Sequence, residues 1–280
     1  MDLPIDKTGI IVIAWAVALL VSDLPDAIWH RITGGVPKWL IWGKIGILLI
    51  LIGFGWILEQ LASLRSFFIL LLILIPGLKI IKWLMLRASS AQTSAQGVWL
   101  LRMVSAAGIG LLLVTILVAA LFLLGKQRQD FFLAMGDLGK WKVPGIILAV
   151  VIMTGTYFFF NYKLPSKDIL IKALPLLPLA LLFAALLAFN EEMMFRATLL
   201  SPLYEVVGKG HAILISAVVF GMAHYFRGTP SGIEGAIVAG ALGWLWATIT
   251  LETKGVYMSW FIHFLNNIPT LIFWAIGSVS

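Results

Sequence analysis

The chain has 280 residues, 61% of them hydrophobic and 12% charged, with a net charge of +7 and no cysteine. A soluble domain of this size is about a quarter charged, so the composition excludes a soluble globular protein and points to an all-α, polytopic membrane protein. The missing cysteine excludes disulfides, thiolate metal sites and a cysteine nucleophile. The basic residues sit mostly in short loops between apolar runs, which suits helix anchoring and topology rather than nucleic acid.

Nine apolar segments, each able to cross or nearly cross a bilayer, lie near residues 8–24, 39–58, 67–86, 98–124, 143–160, 174–200, 211–226, 233–250 and 256–277. A span needs about 20 residues, and the first and seventh segments are short. Eight or nine transmembrane helices are therefore expected, all helical because irregular backbone cannot face lipid. Ile5, Asp6 and Lys7 do not make a basic leader, and no small-residue cleavage pattern follows the run from Gly9 to Val21. A retained first span is expected rather than a cleaved signal peptide.

Trp39 and Trp42 at one end of the second segment, with Trp56 near the other, fit an aromatic belt, though packing between helices would also account for them. The stretch from Arg87 to Gln96 is small and hydroxyl-rich, and reads as a linker. It divides front membrane helices, residues 1–97, from a second bundle, residues 98–280. Counting alternate loops puts ten basic residues on one side, including Lys44, Lys79, Lys163 and Arg227, against eight on the other. That bias does not set orientation. No internal repeat is visible, which weakens an inverted-repeat transporter. In the eighth segment Gly232, Ala236, Ala239, Gly240 and Gly243 have the small-xxx-small spacing of close helix packing.

The chemistry-bearing residues are Glu191, Glu192 and Arg196 in the sixth segment, His224 in the seventh, and His263 and Asn267 in the ninth. One charge at mid-bilayer costs roughly 2.5–3.5 kcal/mol at the least, so three in one apolar run mark a functional interior. The structural alternative is a cluster in which Arg196 neutralises one glutamate at i,i+4 spacing. At 1.5 Å per residue, Glu191 lies about 14 Å before the end of its segment and His224 about 20 Å into the next. On the same scale His263 and Asn267 lie about 10 and 17 Å into the ninth, from the same membrane side. All four thus fall at comparable depth. His30 and His211, at segment edges, read as ordinary loop or interface residues.

A carboxylate beside a histidine can deprotonate water. Adjacent glutamates point about 100° apart on a helix, so one can act as base while the other pairs with Arg196. An imidazole and an amide on a facing helix are donors suited to an oxyanion. No serine or threonine sits persuasively beside the histidines, so water is the nucleophile and amide hydrolysis the reaction class. Zinc- or iron-assisted hydrolysis stays open beside the metal-free route, because two histidines and two carboxylates also suit a metal. Against it, the histidines come from separate helices and no His-Glu-x-x-His run occurs.

Glu191-Glu192-x-x-x-Arg196, Phe220-x-x-x-His224 and His263-x-x-x-Asn267, in this order, resemble the three signatures of the CAAX prenyl protease and bacteriocin-processing (CPBP, or Abi) membrane proteins. The resemblance covers about residues 174–277 and leaves the first three segments outside. It implies an intramembrane glutamate endopeptidase that needs no metal or other cofactor. Glu191 and His224 would then activate water, His263 and Asn267 would form the oxyanion hole, and Glu192 and Arg196 would organise the site. The implied partners are membrane lipid and a peptide or membrane-protein substrate, lipidated or not. Members of the family also serve as tethers, immunity factors or scaffolds. A non-catalytic scaffold or adaptor of the same fold is thus the competing reading, and a proton-coupled transporter a third. An intact acid–base set favours the enzyme, since a scaffold could replace costly buried charges with apolar groups.

Overall fold

The computed structural model describes residues 6–90, 94–159, 165–226 and 231–280. The centre of the 87–96 linker, Lys163 and Arg227 lie outside them. Every regular element among the described residues is helical. The chain runs through α1 (Lys7–Val21), α2 (Leu24–Thr33), α3 (Trp39–Ile57), α4 (Arg65–Ser90), α5 (Ala95–Leu123) and α6 (Lys142–Phe159). It continues through α7 (Lys167–Ala173), α8 (Leu177–Glu192), a π-helical stretch (Met193–Leu200), α9 (Ser201–Val207), α10 (Lys209–His224), α11 (Gly232–Thr253) and α12 (Tyr257–Gly277).

Six helical runs are long and apolar enough to cross a membrane, and the bent pair α1–α2 makes a seventh if it is one span. This is an integral, multi-pass architecture. The structure does not confirm the eight or nine crossings expected from hydropathy, and the differences have local causes. The first segment forms two helices that turn 46° at Ser22 and Asp23 rather than one straight span. The seventh, α10, has only 16 residues. The ninth, α12, has 21 residues, but His263, Asn266, Asn267 and Pro269 interrupt its apolar surface.

The bend between α1 and α2 is held by charge. Lys44, on α3, donates to the Ser22 carbonyl at 2.5 Å and pairs with Asp26. Lys79, on α4, reaches Asp23 at 2.8 Å and Asp26 at 2.7 Å. Lys44 and Lys79 are therefore not topology-setting loop residues, as their placement among the loop cations implied. They are within helices, and Lys44 is buried, because a broken helix exposes carbonyl and carboxylate groups that need a cation. Lys44→Met leaves Asp26 to Lys79 alone and should lower stability by about 3 kcal/mol. A thermal-unfolding midpoint in detergent unchanged from wild type would contradict that expectation.

Small residues place the core helices. A Cβ on Gly221 of α10 would lie 2.5 Å from the Ala236 carbonyl oxygen and 3.0 Å from Gly240 Cα, both on α11. A Cβ on Gly243 would lie 2.9 Å from the Phe220 ring. Backbones this close leave no room for a side chain, which is the packing role read from the sequence. Helix α12 packs on α8 and α6, and Trp260 Nε1 donates to the Ala185 carbonyl at 2.9 Å. Trp39, Trp42 and Trp56 are all more than half exposed, which suits the aromatic belt, although Trp39 meets Trp29 of α2 edge-on and Arg65 of α4 lies over Trp56.

Candidate active site

The site begins where the α-ladder of α8 gives way. Immediately after Glu192 the backbone becomes π-helical, an irregularity that concentrates at functional sites. Hydroxyls explain the loosening. Thr198 Oγ1 donates to the Met194 carbonyl, Ser201 Oγ to Ala197 at 2.5 Å, and Ser216 Oγ, from α10, to Phe195 at 3.1 Å. Side chains that compete for these carbonyls weaken the regular backbone ladder.

The two glutamates part company as their 100° offset requires. Glu192 turns inward and is fully buried, with Oε2 3.2 Å from Arg196 Nε and Oε1 2.9 Å from His263 Nδ1. Arg196 is also fully buried, its guanidinium 4.8 Å from the Phe220 ring centre and 5.7 Å from that of Trp246. The Arg196–Glu192 contact is one of charge, since its angles do not make a hydrogen bond and the guanidinium nitrogens have no hydrogen-bond acceptor among the described residues. Ring faces supply the remaining stabilisation.

Glu191 turns the other way and lines a cavity of ≈ 660 Å³ together with His224, His263 and Asn267. Its Oε2 lies 3.5 Å from His263 Nε2 and 3.9 Å from His224 Nε2. These separations are long for direct hydrogen bonds and suit a bridging water. His224 Nδ1 is 2.9 Å from the Phe220 carbonyl oxygen, which can only accept. Nδ1 therefore carries the proton, and a neutral His224 presents its Nε2 lone pair toward Glu191. His263 is held from behind by Glu192 and on its face by Trp246, stacked at 4.0 Å and 11°. Its Nδ1 faces the Glu192 carboxylate and its Nε2 faces Glu191 and the cavity, and an imidazole donates through both nitrogens only as imidazolium.

All six sequence-identified residues thus come together, four around the cavity and two beneath it. His30 and His211 lie apart, His30 against Phe226 and His211 accepting from Trp15 Nε1 at 3.2 Å. Among the described residues no group of three or more histidines, aspartates and glutamates has the arrangement of metal ligands.

Sequence reasoning missed several residues of the site. Trp246 sits in a segment read only as a packing helix. Asn190, beside the glutamates, is buried and donates from Nδ2 to the Ala107 carbonyl at 3.0 Å. A Cβ on Gly110 would come 2.5 Å from that nitrogen, so α5 needs glycine there. Asn266 also lines the cavity, with Thr156 of α6 hydrogen-bonded to it. Its position beside Asn267 was the one available signal. Leu78, Ile81 and Met85 of α4 complete the apolar wall.

Residues 173–269 match a family model described as "Type II CAAX prenyl endopeptidase Rce1-like". A Bacillus subtilis (strain 168) protein, YdiL, named as a candidate membrane peptidase, is 23% identical over 180 residues, covering 62% of this chain and 70% of its own. No solved structure matches the chain. The matched model spans all three motifs, and with the peptidase relative it supports assignment of this integral membrane protein to the CPBP family.

Proposed function

We propose that the protein is an intramembrane glutamate endopeptidase that hydrolyses a peptide bond with activated water. The observation that carries the reading is Glu191 Oε2 poised 3.5 and 3.9 Å from two imidazole nitrogens inside the cavity. Water held between Glu191 and His224 gives a proton to Glu191, and the hydroxide attacks the scissile carbonyl carbon. His263 Nε2 and Asn267 donate to the resulting oxyanion. Collapse breaks the C–N bond, and Glu191 returns its proton to the leaving amine. Glu192 and Arg196 hold His263 in register, and Trp246 fixes the plane of its ring.

The substrate is a peptide or a membrane-protein segment, lipidated or not, reaching the cavity from the bilayer; nucleic acid plays no part. The matched family model and the relative's name support a peptidase. The motif-bearing unit is residues 98–280, with residues 1–97 as a front unit whose α4 adds to the cavity wall. Counting α1–α2, α10 and α12 as crossings with the other six runs restores eight or nine spans, which cysteine-accessibility mapping would establish. A scaffold would account for the buried Glu192–Arg196 pair but has no use for Glu191, whose side chain is 32% exposed.

The test is hydrolysis of an internally quenched library of apolar decapeptides by protein in liposomes, run in ¹⁸O-labelled water. The new C-terminal carboxylate should gain one label, and chelators should leave the rate unchanged. Loss of activity on chelation, restored by zinc, would overturn the metal-free route. Absence of any labelled product would overturn the peptidase.

A further inference from the structure

The mechanism above leaves unused a second amide on the same helix. Asn266 precedes Asn267 and lines the same cavity. On a helix it lies about 60° to one side of His263 and Asn267 about 40° to the other, both about one turn further along. The two amides therefore straddle the line of the histidine.

What separates Asn266 from its neighbour is its partner. Thr156 Oγ1, on α6, donates to Asn266 Oδ1 at 2.7 Å. This contact joins α12 to α6, and Ile152 and Gly155, also on α6, line the cavity beside it. A primary amide has one acceptor oxygen and two N–H donors. With Oδ1 accepting from the threonine hydroxyl, the two N–H donors are left for a ligand. Nδ2 has no hydrogen-bond acceptor among the described residues. An amide held by its acceptor end, with both donors unspent at a cavity wall, offers those donors to a ligand.

We propose that Asn266, oriented by Thr156, binds a backbone carbonyl of the substrate next to the scissile bond and so sets the register of the peptide. The reading rests on the peptidase function proposed above. One helical turn is about 4.5 Å for three residues, and consecutive residues of an extended peptide advance about 3.3 Å. Asn266 thus reaches a carbonyl roughly one or two residues from the one held at His263 and Asn267. Its role is to position substrate, in both the ground state and the transition state. Such uniform binding moves KM and leaves kcat nearly unchanged.

The probe is the single peptide best cleaved from the decapeptide library, with protein in liposomes. Asn266→Leu, which keeps bulk but has no donor, should raise KM about five- to ten-fold, the loss expected for one hydrogen bond. Its kcat should stay within about two-fold. Thr156→Val should raise KM in the same direction, because the unanchored amide no longer points its donors into the cavity, and Thr156→Ser should restore the wild-type value. The same order of affinities should appear for the uncleaved peptide when each change is made in the Glu191→Gln background. Should Asn266→Leu not fold, the Thr156 pair carries the test by itself. Wild-type cleavage with KM unmoved by the Asn266 and Thr156 changes, or a loss confined to kcat, overturns this assignment alone. Failure of the wild type to cleave any library peptide overturns the peptidase reading, and the assignment with it.

Discussion

Glu191→Gln should yield a folded protein that still binds peptide but hydrolyses it about two to four orders of magnitude more slowly. The substitution keeps the shape of the side chain and removes its capacity to take a proton from water. Glu191 is the carboxylate on which the cavity's imidazoles converge, with His263 Nε2 at 3.5 Å and His224 Nε2 at 3.9 Å. Its side chain is 32% exposed, and its buried neighbour His263 keeps the Glu192 carboxylate at 2.9 Å when the Glu191 charge is lost. Folding and catalysis should therefore separate at this residue. Cleavage rate, peptide binding and thermal midpoint measured in parallel make the distinction. Full-rate cleavage by the folded variant would end the proposed mechanism, and the polar cluster would then be a structural device joining α8, α10 and α12.

Arg196→Leu should have the reverse profile, with stability lost before chemistry is reached. Arg196 and Glu192 are both fully buried and their charges meet at 3.2 Å. Removing the cation strands a carboxylate where no water can solvate it, at a cost of about 3–5 kcal/mol. His263 Nδ1, 2.9 Å from the same carboxylate, offers only partial compensation. The guanidinium also leaves its place against Phe220 and Trp246, so the plane that stacks on His263 loses a neighbour. The double variant Glu192→Gln/Arg196→Leu should recover part of the stability, because no unpaired charge remains, yet stay inactive because His263 has lost its anchor. Thermal unfolding in detergent reads both effects. An Arg196→Leu protein as stable as wild type would show that the pair does not hold this region together.

The chain separates what is local from what is not. Run length and the rarity of charge within the runs were enough to establish an all-helical membrane protein. Helical periodicity within one segment was enough to part Glu191 from Glu192 and to put His263 and Asn267 on one side of α12. The depth of each polar group followed from counting residues at a fixed rise. These are properties of a single helix, and each is written in contiguous sequence.

Rotation and contact between helices are of another kind. Apolar segments such as α8 and α11 are hydrophobic on every side, so their composition does not say which face meets which neighbour. Only the packed structure turned Trp246 onto His263 and gave Asn266 its threonine from 110 residues away. The same holds for Lys44 and Lys79, which counted as loop cations until Asp23 and Asp26 were brought beside them. The π-helical turn after Glu192 depends partly on Ser216, which another helix supplies. Hydropathy reports whether a residue prefers lipid or water. It carries no information about which of many apolar surfaces will be its neighbour, because that choice is made by shape complementarity and by the few hydrogen bonds a membrane interior permits.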